Sequence, residues 1–188
     1  MAIVIRDARP TDALFLAECI LAGMHLYDFK DIVNDDLADA LERITVCEGR
    51  EDTLYTYSRT RVAEVDGKPA GALLSYPGEL YKELRDRMLR EYWPAFFIQF
   101  GNDDLETDPG EYYLDSLAVH PDYRRMGVGR ALLEDGIKIG LSEGFTQIAI
   151  VADAEMPHLI KIYQSIGFVP ADHRNVFGID FLRMIYTV

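Results

Sequence analysis

Arg124-Arg125-Met126-Gly127-Val128-Gly129 sets two glycines one residue apart, directly after an apolar, strand-like run from Tyr112 to Val119 and directly before a helix-like one. That order predicts a phosphate cradle. Glycines let the backbone turn sharply and come close to a ligand, so successive N–H groups can converge on a pyrophosphate. The helix that follows adds the positive end of its dipole. Arg124, Arg125 and Arg130 gather cationic charge at the same bend, in a chain with 19 lysines and arginines against 32 aspartates and glutamates. A nucleoside-triphosphate loop would end in Gly-Lys-Ser/Thr, and a dinucleotide fingerprint would carry a third glycine; this stretch has neither.

The second group suited to chemistry is Asp115, which two-residue alternation puts on one strand face with Tyr113 and Leu117. A carboxylate on an otherwise apolar strand is costly to bury. It must face a cleft, be paired, or have a raised pKa, and each of these is consistent with a proton-accepting site. An ordinary ion pair with a nearby arginine, or a cap for the loop, would account for the same residue without chemistry.

The elements that must hold these residues follow from periodicity and punctuation. Ile3 to Arg6 reads as a first strand, and Pro10-Thr11-Asp12 as a helix start, with the helix running to about Met24. Asn34-Asp35-Asp36 caps a second helix, whose Leu37, Leu41 and Ile44 share a face and which Gly49 ends. Arg61 to Val65 and Pro69 to Tyr76 flank Asp66-Gly67-Lys68, an antiparallel hairpin. Pro77-Gly78 breaks that strand. A helix with Leu80, Leu84, Arg87, Met88 and Tyr92 follows, ending near Pro94. Asn102 to Gly110, rich in aspartate, predicts an exposed, mobile loop. After the glycine motif, Leu133, Ile137 and Leu141 line a helix in which Gly136 and Gly140 allow close approach to a sheet. Ile148 to Ala152 reads as a buried strand, Pro157 to Ile166 as a helix, and Phe177 to Val188 as one or two terminal strands.

A chain of 188 residues, 49% apolar and without repeats, fits a single domain over residues 1–188. No apolar run is long enough to cross a bilayer, so no membrane partner is expected, and Met1 to Arg6 lacks the form of a secretory signal, which predicts a cytoplasmic protein. Cys19 and Cys47 read as core residues, and His25, His120, His158 and His173 show no ligand spacing, so no metal is expected. A net charge of −13 argues against nucleic acid. It would suit a cationic amine, although acidity also serves solubility.

Leu117-Ala118-Val119-His120-Pro121 followed by Arg-x-x-Gly-x-Gly resembles the acyl-coenzyme A loop of the GCN5-related N-acetyltransferases, the GNAT superfamily. Tyr163-Gln164-Ser165-Ile166-Gly167-Phe168 is similar to that family's Tyr-x-x-x-Gly-Phe. The two motifs span Tyr112 to Phe168 in register. The resemblance implies an α/β (α+β) fold, a mixed central sheet of about six to seven strands flanked by helices; this sequence inserts an extra helix before the motif strand. It implies acetyl-coenzyme A as cofactor. The pantetheine arm would lie along Leu117, Ala118 and Val119, and the pyrophosphate would sit on Arg124, Arg125, Met126, Gly127, Val128, Gly129 and Arg130. It further implies acetyl transfer to a primary amine of a small molecule or peptide, with Tyr163 protonating the leaving thiolate from a phenol of ordinary pKa near ~10. Asp115 or a water relay would be the base. Tyr76, Glu79 and Tyr81, with Tyr27 and Asp28, are candidates for the acceptor side. Dimers are common in relatives, which implies a homodimer. Met156 stands where the family often carries Asn, with Asp153 or Glu155 as conceivable replacements. That departure keeps open a non-catalytic acyl-coenzyme A sensor or assembly module, and a third reading is a domain for some other nucleotide.

Overall fold

The computed structural model describes residues 2–32, 34–94 and 105–188. The chain order is β1 (Ile3–Asp7), α1 (Ala13–Gly23), α2 (Asp35–Glu48), β2 (Thr60–Val65), β3 (Lys68–Pro77), α3 (Tyr81–Tyr92), β4 (Tyr112–Val119), α4 (Val128–Ser142), β5 (Gln147–Asp153), α5 (Pro157–Ile166), β6 (Val169–Val176) and β7 (Ile179–Thr187). The strands form a seven-stranded mixed sheet in the order β1-β2-β3-β4-β5-β7-β6, and the described helices flank it, an α/β architecture as expected. The β4–β5 pair is parallel, while β1–β2, β2–β3, β5–β7 and β6–β7 are antiparallel. Two compact units divide the chain: Met1–Ser75 with Ser116–Gly136, and Tyr76–Asp115 with Ile137–Val188.

In the first unit the helix signals act where expected. Asp12 Oδ2 accepts from the Arg9 N–H at 2.7 Å and leads into α1, whose Leu16, Ala17, Cys19, Ile20 and Leu21 are buried. Asn34 Oδ1 accepts from Leu37 N–H at 2.8 Å, capping α2. Both cysteines are buried free thiols, and burial pushes the Cys19 thiol well above its ordinary value. The hairpin turns on Asp66 (φ 50°) and Gly67 (φ 79°), both left-handed, the two-residue geometry that matches strand twist. Leu16, Cys19, Val62, Ala72 and Ala118 pack into one cluster. At Gly71 a Cβ would sit 2.6 Å from the Ala118 carbonyl oxygen, so glycine is what lets β3 lie this close to β4.

In the second unit Ile148, Ala149 and Ile150 of β5 are buried. A Cβ on Gly140 would stand 2.6 Å from Ile148 Cδ1 and 2.7 Å from Tyr112 Cδ1, the close helix approach expected of that glycine. Gly167, at φ 117°, ends α5 in the left-handed conformation.

Three expectations are corrected in this unit. Phe177 is not strand but turn, at φ 54° beside Gly178, and the preceding Val169–Val176 is a strand. Of its eight residues only Val176 is buried, so it lacks the apolar alternation that would announce it; it is the sheet's edge. The buried face of α3 is Tyr81, Leu84, Arg85, Met88 and Leu89, while Leu80 is exposed. The predicted acidic loop lies partly outside the described residues, at 102–104, but 105–110 are tied down. Thr107 is buried with its hydroxyl donating to Glu111 Oε2 at 2.9 Å, and Asp108 takes Arg174 Nη2 at 2.8 Å. Gly78 approaches so closely that a Cβ there would fall 2.3 Å from the Asp108 carbonyl oxygen.

Candidate active site

In the first unit β4 is the outer strand, so one edge of Leu117, Ala118 and Val119 has no ladder partner within that unit. Past Val119 the chain tightens through a short turn at Pro121–Tyr123, where His120 Nδ1 accepts from Asp122 N–H at 3.3 Å. Arg125 (φ 62°) and Gly127 (φ 87°) then take left-handed conformations on either side of Met126. Alternating handedness of this kind turns successive N–H groups inward to a concave nest. Ala131 N–H donates to Gly127 O at 3.0 Å, the first turn of α4. Among the described residues no main-chain carbonyl meets the N–H groups of Arg125, Met126, Gly127, Val128 or Gly129 in good hydrogen-bonding geometry. Val128 is buried and anchors the bend, and a Cβ on Gly129 would only touch Val119 Cγ2 at 3.5 Å.

The side chains around this bend differ in their freedom. Arg124 donates from Nε to Val119 O at 3.1 Å and from Nη2 to Asp28, and that guanidinium holds the Asp28 carboxyl below its ordinary range. Arg125 is exposed, as are Met126 and Arg130, and Arg130 Nη1 reaches Glu134 at 3.4 Å. Amides without a well-aligned main-chain acceptor among the described residues, a helix start and exposed arginines together fit a diphosphate. Tyr27, a candidate for the acceptor side, donates instead to Glu18 at 3.3 Å.

In the second unit the β4–β5 ladder covers Tyr112–Leu114 only, and Asp115 follows directly. Tyr76 Oη donates to Asp115 Oδ2. Tyr76 is completely buried, lies parallel to the Tyr81 ring at 6.5 Å, and meets Tyr113 edge-on at 5.8 Å. Glu106 accepts from Tyr81 Oη at 2.6 Å and from Tyr113 Oη on its other oxygen. The Arg85 guanidinium lies 5.3 Å from the Tyr81 ring centre. Burial, and then the neighbouring carboxylates, push the phenols of Tyr76, Tyr81 and Tyr113 well above their ordinary value. Tyr76 and Tyr81 carried a sequence signal as candidates; Glu106 and Tyr113 did not. Tyr113 lies two residues before Asp115 on the same face, which was the available hint. Glu79 serves the loop, accepting from Gly110 N–H at 2.9 Å.

Tyr163, on α5, is 7% exposed and packs its ring 6.1 Å from Phe168. Burial pushes its phenol up to about 12, which corrects the expectation of an ordinary value. Near Met156, Asp153 Oδ1 accepts from Glu155 N–H at 2.8 Å, so that carboxylate serves its own turn.

Known proteins resemble the chain along its length. A crystal structure described as an acetyltransferase aligns over 98% of this chain and 99% of its own, with a TM-score of 0.76 and 26% identity. An N-acetyltransferase from Staphylococcus aureus Mu50 aligns over 97% and 99%, with a TM-score of 0.77 and 22% identity, a likeness of fold. Among curated proteins, the mycothiol acetyltransferase of Geodermatophilus obscurus is 28% identical over 110 residues, 58% of this chain and 32% of that protein. The ribosomal protein bS18-alanine N-acetyltransferase of Escherichia coli K12 is 38% identical over 65 residues, 35% of this chain and 44% of its own length. The chain therefore spans less than half the length of either curated relative. The model of the Acetyltransferase (GNAT) family matches residues 27–168, a stretch that contains the bend after β4, Asp115 and Tyr163, and the chain belongs to that family.

Proposed function

We propose that this acyltransferase moves an acetyl group from acetyl-coenzyme A to a primary amine of a small molecule or peptide. The observation that carries the reading is the nest of main-chain amides at Arg125–Gly129, without well-aligned main-chain acceptors among the described residues and opening helix α4. In the first unit, Arg124 to Arg130 hold the diphosphate, and the free edge of Leu117–Val119 offers main-chain hydrogen bonds to the pantetheine arm. Bound acetyl-coenzyme A supplies an activated thioester. In the second unit, Asp115 accepts the proton of the incoming amine, directly or through water, and Tyr163 donates toward the sulfur. The balance is simple: an N–C bond forms, the C–S bond breaks, one proton leaves nitrogen and one reaches sulfur. Positioning supplies the larger effect, roughly 7 to 11 kcal/mol of barrier lowering when two reactants are held in attack geometry. The net charge of −13 favours a cationic acceptor. One relative is named for mycothiol and another for an alanine of ribosomal protein bS18, so acceptors differ within the family.

Met156, in place of the family's frequent Asn, favours a second reading, a sensor that binds acyl-coenzyme A without turnover. Calorimetric titration with acetyl-coenzyme A, followed by thiol release against a panel of amines, separates the two. Binding with release on one or more amines supports transfer; binding with no release on any amine supports the sensor. No binding would overturn both.

A further inference from the structure

We infer that Tyr76 is a positioning residue for Asp115: its buried hydroxyl fixes the carboxylate's orientation and favours its charged form, poised to accept a proton. The inference rests on the reading of Asp115 as the base.

Asp115 is half-buried, and a carboxylate in such a place is unstable as an anion unless donors meet it. Tyr76, at 0% exposure, cannot touch a reactant itself, so its hydroxyl acts through the group it donates to. A phenol hydroxyl locked in one rotamer gives a charge-assisted hydrogen bond of defined direction, leaving the carboxylate's other oxygen to different partners. The ring is held on two sides, parallel to Tyr81 and edge-on to Tyr113, and each of those rings is fixed in turn by donating to Glu106.

Among the described residues, the titratable and charged groups on this side of Asp115 are Tyr76 at the end of β3, which donates to it, Tyr113 on β4 itself, and Tyr81 on α3, with Arg85 and Glu106 against the phenols. Glu106, which accepts from Tyr81 and Tyr113, is the like charge among them, and Arg85, over the Tyr81 ring, is the opposite one. Tyr76 donates to Asp115 directly. Tyr81, Arg85 and Glu106 all belong to the stretch between β3 and β4, the extra segment that the sequence shows before the motif strand. Through these three described residues it contributes to the packing that holds Tyr76.

The test reads Asp115 directly, in the full chain and without an acceptor amine. The carboxyl carbon of Asp115, assigned through its disappearance in Asp115→Asn, is titrated by carbon-13 NMR. In Tyr76→Phe the midpoint moves to higher pH, because the donor to the charged form is gone. In Tyr81→Phe, which removes a hydroxyl from the same ring stack but not the one on Asp115, it moves less. An unmoved midpoint in Tyr76→Phe, or one shifted no further than in Tyr81→Phe, overturns the inference. Should Tyr76→Phe fail to fold, Asp115→Asn carries the reciprocal measurement: the Tyr76 phenol ionises at lower pH once the facing charge is removed, and an unchanged value overturns the inference equally.

Kinetics then separate this inference from the reading beneath it. In Tyr76→Phe the acidic limb of the kcat/KM profile moves to higher pH and kcat falls about tenfold, the equivalent of one charge-assisted hydrogen bond. An acidic limb that persists in Asp115→Asn would refute the base assignment alone, while the NMR shift would still stand.

Discussion

Tyr163 is a weaker acid than its family position led the sequence to suggest. With its phenol pushed up to about 12 by burial, it stays protonated across the neutral range, yet full transfer to a free thiolate near pKa ~8.5 climbs roughly 5 kcal/mol. In the proposed role it stabilises charge developing on sulfur by donating a hydrogen bond, before any complete transfer. Tyr163→Phe should then lower kcat about a hundredfold while acetyl-coenzyme A affinity stays within about twofold, the mark of an interaction made in the transition state. Steady-state kinetics with parallel calorimetry check this. Unchanged kcat would leave Tyr163 as packing for Phe168. The sequence could locate this tyrosine but not its acidity, which depends on how deeply α5 seats the ring. Asp115 shows the same division: strand alternation marked it as unusual, but its partner Tyr76 lies 39 residues earlier and meets it only through the fold.

At the scale of elements, local signals were legible where a few neighbouring residues decide the backbone. Asp66-Gly67 makes its hairpin, Asn34 caps α2, and Pro157 opens α5, each within a residue or two of the expectation. Gly127 is the most consequential of these. At φ 87° a β-branched residue is strained, so Gly127→Val should reshape the nest and weaken acetyl-coenzyme A binding by at least about tenfold, measured calorimetrically, while the far-ultraviolet spectrum is kept. Gly140→Ala tests packing instead. Its Cβ would intrude on Ile148 and Tyr112, and urea denaturation should show a loss of about 1 to 3 kcal/mol. A neutral result would mean that the helix shifts freely. Other elements were illegible for a physical reason. β6 is an edge strand with a polar sequence, and residues 105–111 look like a loop until distant Arg174 and Arg183 reach their carboxylates.

Across the whole molecule, acid excess is the dominant charge feature, at 32 acidic against 19 basic residues, yet the cations are not evenly spread. Some pin the second unit: Arg183 and then Arg174 hydrogen-bond Asp172 and hold its carboxyl well below the usual carboxylate range. A depressed carboxylate contributes stability that is present above its unfolded pKa, near ~4, and is lost as pH falls toward the folded value. Urea midpoints should therefore decline below about pH 5, and Asp172→Asn should be less stable at pH 7 with a shallower decline on acidification. Equal slopes for the two proteins would remove Asp172 from the acid response. Other cations, Arg124, Arg125 and Arg130, stand at the amide nest, where a strongly acidic chain has its locally basic feature.

Cofactor binding by this protein turns on that nest. Titrating acetyl-coenzyme A into nitrogen-15-labelled protein while following the amide signals of Arg125 to Gly129 tests it most directly. Saturable shifts concentrated on those five amides are expected, abolished in Gly127→Val. Binding that leaves them unmoved, or no binding at all, would contradict this role of the nest.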